Sequence, residues 1–162
     1  LCPGHLEWHM IGHLQKNKVR AAVELFSMIH SVDSWRLLEN INRVCEEQSR
    51  TMKVCLEVNI SGEGSKFGMT PEEVPDIVRR SSELVHIDLM GLMTMPPFTH
   101  SGESNRIHFR KCRQLLDHIN RNLKVNDFCE LSMGTSSDFE IAVEEGATYV
   151  RIGEAIMGSR NI

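Results

Sequence analysis

The chain has 162 residues, with 18 Lys and Arg against 22 Asp and Glu, so its formal net charge is −4. This length suits one domain, and hydrophobic and charged fractions of 41% and 25% exclude the disordered and collagen-like classes. No apolar run approaches the roughly 20 residues of a membrane-spanning helix, and the acidic balance argues against a nucleic-acid binder, which needs a concentrated basic face.

Strand-like runs alternate with helical patterns along the whole chain. Strands are predicted over residues 8–11, 28–32, 53–60, 87–95, 128–133 and 149–152, and helices over 15–26, 34–50, 104–122 and 137–145. Between the third and fourth strands, Thr70, Pro71 and Glu73 form a capping box, which predicts a helix with Pro71 in its first position. Six strands separated by helices are typical of βα units and a parallel sheet.

The strands alternate between apolar and polar faces. In the strand over residues 53–60, Val54, Leu56 and Val58 share one face, whereas Glu57 and Asn59 share the other. An open parallel sheet is covered by helices on both faces and is apolar on both. In a barrel, polar side chains line the mouth where the loops build a site. The alternation therefore favours an α/β fold of the (β/α)8 TIM-barrel type over an open sheet, and we expect residues 1–162 to form a single barrel domain.

Cysteine and histidine spacings do not indicate a metal or disulfide site. The five cysteines are irregularly spaced without a CxxC pair, so we expect buried free thiols in a reducing cytosol and a cytoplasmic protein; they are Cys2, Cys45, Cys55, Cys112 and Cys129. His5, His9 and His13 are four residues apart, but they flank or lie in a predicted strand, where such residues do not stack as they do on a helix. No metal site is expected.

Two neighbouring segments carry the clearest sign of chemistry. In the run 131–138 a strand ends at Gly134 before hydroxyl residues and a helix, and in the run 150–158 another strand ends at Gly153. Alone, the first is equally explained by helix capping through Ser136 or Ser137. Together they match the last two strand-to-helix turns of a (β/α)8 barrel, where phosphate groups often bind. Arg151 is predicted to point into the mouth, as a ligand contact or as an ion-pair partner of Glu57 or Glu130, with the ligand favoured.

Several motifs in a fixed order carry a family resemblance over essentially the whole chain. They are HMIGHLQKNK at 9–18, HSVD at 30–33, VNISGE at 58–63 with SK at 65–66, GLMTM at 91–95, SMGTSSD at 132–138 and RIGEAIMGSR at 151–160. This set resembles the pyridoxal phosphate homeostasis proteins. The resemblance implies a barrel like the N-terminal domain of alanine racemase, with pyridoxal 5′-phosphate (PLP) as cofactor and a role in intracellular vitamin B6 homeostasis.

The resemblance also implies which residues hold the phosphate. Ser136, Gly153 and the backbone N–H of Glu154 would bind it, with Ser137 beside them. Glu154 stands where the family commonly has Thr or Ser, which places a carboxylate near a phosphate and predicts weaker binding rather than its loss. Thr135 likewise replaces a usual Met.

The resemblance further implies which residues surround the pyridine ring. Arg151 would lie near the ring nitrogen, where a cation keeps that nitrogen unprotonated and makes the ring a weaker electron sink. His9, Ser31 and Asn59 would line the rest of the ring pocket. Met10, like Met157, stands where the family usually has Phe, a tolerable exchange of apolar side chains.

The family forms a Schiff base to PLP through a lysine at the end of the first barrel strand, upstream of the His9 motif. No lysine of this sequence matches it, and only Lys66 is predicted on a loop at the correct end of a strand. Because the sequence starts at Leu1, we expect a barrel that is incomplete at its N-terminus and keeps about six of the eight βα units, strands 3–8. Its unpaired edge strands predict an unstable or oligomeric chain.

Binding without catalytic turnover is the preferred function. The alternative is a PLP-dependent amino-acid racemase or decarboxylase of the same barrel class, and a third is another phosphate-binding barrel enzyme. Racemase-type enzymes of this class add a C-terminal domain that supplies a second acid–base residue, and Tyr149, the one tyrosine here, lies within the last predicted strand. The expected partner is the small molecule PLP, with no nucleic acid or membrane.

Overall fold

The computed structural model describes residues 6–64, 66–99, 101–125 and 127–158. Cys2, His5, Ser65 and Arg160, which enter the predictions above, lie outside these residues.

Six parallel strands form one sheet, and the chain passes through them in order. They are β1 (His9–Met10), β2 (Met28–Val32), β3 (Met52–Glu57), β4 (Ile87–Met93), β5 (Glu130–Thr135) and β6 (Tyr149–Arg151). Each strand pairs with the next one along the chain, so that the sheet order is β1-β2-β3-β4-β5-β6. The predicted βα organisation is therefore present.

Helices connect successive strands and pack on one face of the sheet, and a last helix, which is short and exposed, follows β6. They are α1 (Val19–Leu25), α2 (Trp35–Glu47), α3 (Val74–Arg80), α4 (Arg106–Leu123), α5 (Phe139–Glu144) and α6 (Glu154–Met157), with 3₁₀ turns at Lys16–Lys18, Ser81–Glu83 and Gly102–Asn105. In the described part of the chain, none of these helices is both long and apolar enough to cross a membrane.

Helix α3 begins later than the capping box predicts. Glu73 does accept hydrogen bonds from the N–H and the hydroxyl of Thr70, at 2.8 and 2.9 Å, but these contacts close a turn before the helix. Pro75 has no N–H to donate to the carbonyl of Pro71, so that regular helical bonding cannot start there. The helix consequently starts at Val74.

The sheet separates two apolar layers. On its outer face, Val54, Leu56 and Val58 of the β3 region join the large core formed with the helices, as the alternation predicts. On its inner face, Cys55 packs with Met28 and Met93 in a small separate cluster that Met90 and Tyr149 extend. The interior of the curled sheet is thus partly apolar, and the polar side chains of the site lie around this inner cluster.

The sheet curls strongly enough for side chains of its two end strands to meet across its interior. The rings of His9 on β1 and Tyr149 on β6 have centroids 5.5 Å apart, although these strands share no ladder. Strands β4 and β5 also approach closely, since a Cβ on Gly91 would lie 1.9 Å from the carbonyl oxygen of Glu130. Any side chain at this position would collide with the backbone of β5, so only glycine fits there.

The thiol prediction holds for most of the described cysteines. Cys45, Cys55 and Cys112 are buried and free, and burial raises the pKa of Cys45 to about 11 and that of Cys112 to about 12. Cys129 is free but exposed, so the expectation of burial is wrong for this residue. It lies just before β5, where the chain runs over the surface.

Candidate functional site

Arg151 ends β6 and points into the curled sheet. Its Nη1 donates to the hydroxyl of Ser132 at 2.9 Å and its Nη2 to the carbonyl oxygen of Thr94 at 3.0 Å. Its Nε is buried and has no hydrogen-bond partner among the described residues. Burial lowers the pKa of this guanidinium, because a charge is costly away from water.

Arg151 forms no ion pair with Glu57 or Glu130, the two carboxylates predicted as its alternative partners. Its hydrogen bonds go to the neutral oxygens of Ser132 and Thr94 instead. Of the two carboxylates, Glu57 acts on Arg151 through longer-range charge, which raises the pKa of the guanidinium. Burial, followed by the nearby Asp33, raises the pKa of Glu57. The N–H on Nε is thus available for a further acceptor.

The two segments predicted to hold phosphate meet in the structure. The hydroxyl oxygen of Ser136 accepts hydrogen bonds from the N–H groups of Gly153 and Ala155, each at 3.2 Å. A Cβ built on Gly153 would meet no atom within 4 Å, so the space in front of this glycine is open. Glu154 lies between the two donors at the start of α6, and its side chain is exposed.

Asp138 holds the turn that carries Ser136. Its Oδ1 accepts from the N–H of Thr135 at 2.6 Å and from the Thr135 hydroxyl at 3.0 Å, and its Oδ2 accepts from Nδ2 of Asn105 at 2.8 Å. Asp138 is only 6% exposed. Ser137, in contrast, is exposed, and its hydroxyl lies 3.5 Å from that of Thr135. The turn is therefore fixed from behind and presents its serines outward.

A cavity of about 360 Å³ opens between β1 and β6. Its lining joins the two end strands to the glycine turn and consists of His9, Ile11, His30, Tyr149, Val150, Arg151, Ile152 and Gly153. Ser136 and Ser137 line an adjoining cleft of about 290 Å³ on the other side of the turn. Three of the predicted residues, His9, Arg151 and Gly153, therefore share one cavity, and Ser136 joins them through Gly153.

His30 is a site residue that the sequence analysis missed. It is 2% exposed, its Nε2 lies 3.0 Å from Nδ1 of His9, and its ring meets that of Tyr149 edge-on at 5.1 Å. Burial, followed by the charges of His9 and Arg151, lowers the pKa of His30 to about 4. Its position in the HSVD motif could have identified it from the sequence, because a histidine within an apolar strand needs a polar partner inside the fold.

Ser31 and Asn59 lie away from the wall of this cavity. The Ser31 hydroxyl donates to the carbonyl oxygen of Gly12 at 2.6 Å, which ties the chain after β1 to β2. The Asn59 amide donates to the carbonyl oxygen of Glu63 at 2.8 Å, and its oxygen accepts from Ser61 and from the N–H of Gly62. Both side chains secure loops at the mouth of the sheet.

Strand β2 does not alternate strictly between the two faces of the sheet. Strict alternation puts Ser31 opposite both His30 and Val32, but the pairing of β2 with β3 is irregular between Ile29 and Val32. As a result, Val32 joins the outer core with Ile29, while His30 contacts the inner cluster through Tyr149. The inward-facing polar residue of this strand is His30.

Lysines and metal-ligating residues add little to this site. Lys66 is half-buried on the loop after β3, the other lysines are exposed, and none of them lines the 360 Å³ cavity. Within residues 6–64, 66–99, 101–125 and 127–158, no three His, Cys, Asp or Glu side chains cluster as metal ligands would.

Comparison with known proteins identifies the family. The family model for the N-terminal domain of alanine racemase matches residues 5–161. The pyridoxal phosphate homeostasis protein of Aquifex aeolicus is 42% identical over 155 residues, which cover 96% of this chain and 68% of that protein. The chain belongs to the pyridoxal phosphate homeostasis protein family. Its human relative is 38% identical over 99% of this chain and 61% of that protein, so the chain spans about two thirds of the length of these relatives.

Solved structures confirm the predicted barrel class for this family member. PipY of Synechococcus elongatus, solved without PLP, is 36% identical, has a TM-score of 0.90, and is matched over 96% of this chain and 73% of that one. The same protein with PLP bound has a TM-score of 0.85 over 94% of this chain and 71% of that one. Alanine racemase of Clostridium difficile, at 17% identity and a TM-score of 0.72, shares the fold.

Proposed function

We propose that this chain binds PLP, with the phosphate at the turns after β5 and β6 and the ring in the cavity between β1 and β6, and acts in intracellular vitamin B6 homeostasis without turnover of its own. The observation that carries the proposal is the contact between Ser136 and the N–H groups of Gly153 and Ala155, because it brings both predicted phosphate segments to one point. The names of the relatives and the PLP-bound structure of PipY support the same ligand.

The residues present fit a phosphate group beside the glycine turn. Backbone N–H groups are good donors to phosphate oxygens, and here two of them already converge on one hydroxyl oxygen. The open space in front of Gly153 gives a ligand access to those donors. The exposed carboxylate of Glu154 lies close by, and we expect its charge to weaken phosphate binding without preventing it.

The residues also fit a ring in the 360 Å³ cavity. Arg151 contributes a buried cation with an unpartnered Nε, and His9 and Tyr149 contribute aromatic walls. When bound, PLP supplies an aldehyde that condenses with amines and a pyridine ring that acts as an electron sink when its nitrogen is protonated. A cation such as Arg151 near that nitrogen opposes its protonation, so the site favours storage and transfer of PLP over carbanion chemistry.

A Gly153→Val substitution tests the location of the ligand. In the ligand-free chain the new side chain has open space, so we expect an unchanged melting temperature. The same side chain blocks the proposed phosphate position, so PLP affinity, measured by absorbance titration, should fall at least about tenfold, or about 1.4 kcal/mol. Gly64→Val is the matched control, because its Cβ also meets no atom within 4 Å but lies on the loop after β3.

Two results would contradict this proposal. The first is PLP binding that survives Gly153→Val unchanged. The second is equal affinity for PLP and for pyridoxal, which lacks the phosphate. A third measurement addresses catalysis: we expect no racemisation or decarboxylation of amino acids with added PLP. Turnover that disappears with Arg151→Ala would instead favour a racemase or decarboxylase activity.

A further inference from the structure

His9 and His30 share a proton in the hydrogen bond between their rings, and the surrounding groups decide which ring carries it. Nδ1 of His9 and Nε2 of His30 lie 3.0 Å apart, so one of them must donate to the other. The remaining nitrogen of His30, Nδ1, is buried and has no partner among the described residues. The remaining nitrogen of His9, Nε2, lies 3.7 Å from a carboxylate oxygen of Glu7.

His30 carries a single ring proton at neutral pH. Burial lowers its pKa to about 4, so the imidazole is neutral and has one donor and one acceptor nitrogen. The ring is 2% exposed and is held edge-on against Tyr149, which leaves it little freedom to turn toward water.

The two directions of the hydrogen bond differ in what they leave unsatisfied. If His9 donated, the proton of His30 would sit on its Nδ1 as a buried N–H without an acceptor, which proteins rarely tolerate. If His30 donates, its Nδ1 is only an unused acceptor, and His9 carries its proton on Nε2, toward Glu7.

We propose that His30 is a positioning residue that donates its Nε2–H to Nδ1 of His9 and so presents His9 to the cavity as an Nε2–H donor. The role in ligand binding rests on the proposed function, because His9 and His30 line the cavity assigned to the PLP ring. His9 then offers a ligand a fixed N–H donor beside the guanidinium of Arg151, which lines the same cavity.

Nuclear magnetic resonance of the ligand-free chain tests the direction of the bond. In ¹⁵N-histidine-labelled protein at pH 7.5, we expect the shared proton on Nε2 of His30, with a scalar coupling across the bond to Nδ1 of His9. A His9→Gln variant assigns the His9 signals. The coupling should be lost in His30→Leu, whereas His30→Gln keeps an amide donor at a similar distance and should leave Nδ1 of His9 unprotonated.

A second measurement tests the positioning role. PLP affinity should fall about fivefold in His30→Leu, equivalent to about 1 kcal/mol, and should stay within about twofold of wild type in His30→Gln. A proton found on Nδ1 of His9 in the wild-type chain would overturn the proposal, as would equal PLP affinity in all three proteins.

The outcomes separate this inference from the proposed function. Because the spectra need no ligand, failure of the wild-type chain to bind PLP would refute the proposed function and the ligand role of His30, while the spectra would still decide the bond direction. If His30→Leu does not fold, as judged by circular dichroism, the wild-type and His30→Gln spectra and affinities decide.

Discussion

Replacing Asp138 with Ala should release the turn that carries Ser136. The carboxylate accepts three hydrogen bonds, two from Thr135 and one from Asn105, and thereby ties the end of β5 to the segment before α4. Because no other described side chain accepts from the N–H of Thr135, the substitution should reduce both the stability of the fold and the order of the phosphate turn.

The size of the loss follows from the burial of each donor. Thr135 is half-buried, so its N–H and hydroxyl can turn to water, and each lost bond costs about 1 kcal/mol. Asn105 is 2% exposed and keeps only the carbonyl oxygen of Pro97 as acceptor, so its lost bond to a charged partner costs about 2 kcal/mol. Together these terms predict a loss of about 4 kcal/mol, or about 12 °C in melting temperature for a chain of this size.

Urea denaturation followed by circular dichroism measures this loss. The matched control is Glu140→Ala, because Glu140 is exposed, lies two residues further on and makes no hydrogen bond or ion pair with the described residues. The control should change the free energy of unfolding by less than about 0.5 kcal/mol. A loss below about 1 kcal/mol for Asp138→Ala, or one equal to that of the control, would refute the assigned role.

Three further predictions concern the sheet, its interior and its surface. Gly91→Ala should destabilise the chain by about 3 kcal/mol or more, because its Cβ would lie 1.9 Å from the Glu130 carbonyl oxygen, whereas Gly64→Ala should be neutral in the same urea titration. The pKa of His30 is about 4 in the folded chain against 6.5 for an unperturbed histidine, so the unfolded chain takes up its proton first as the pH falls. The stability that His30 contributes is therefore complete above pH 6.5 and is lost toward pH 4, by roughly 3 kcal/mol; urea midpoints across this range should fall less steeply in His30→Gln, and equal slopes would contradict the assignment. Cys129 should react with a thiol reagent before the three buried cysteines, as peptide mapping would show, since it alone of the described thiols is exposed.

Local patterns predicted the elements whose partners are near in sequence. Strand β2 occupies the predicted residues, and Ser34 caps α2 by accepting from the N–H of Leu37 at 3.3 Å. The faces of β3 followed from alternation, because the extra residue at its irregular pairing with β4 is Met90 on β4, and the apolar residues of β3 meet the helices. In each case a few neighbouring residues contain the whole physical cause.

Contacts across the interior of the sheet could not be predicted from those local patterns. His30 became a site residue because the curl of the sheet brings Tyr149 against it, and this cause is not local. The partners of Arg151 are equally distant, since Thr94 belongs to the chain after β4. The family resemblance supplied the residues of the glycine turn, but the loop-bonding roles of Ser31 and Asn59 needed the structure.

The order of the strands also affects how the chain can fold. Because every strand pairs with the one that follows it, no strand must wait for a partner from the far end of the chain. Each βα unit completes one edge of the growing sheet and exposes the next, so assembly can proceed stepwise as the chain leaves the ribosome. The cavity forms last on this route, since it needs the curl that brings β6 back to β1. A cofactor that binds there would therefore recognise only chains in which β6 is already in place.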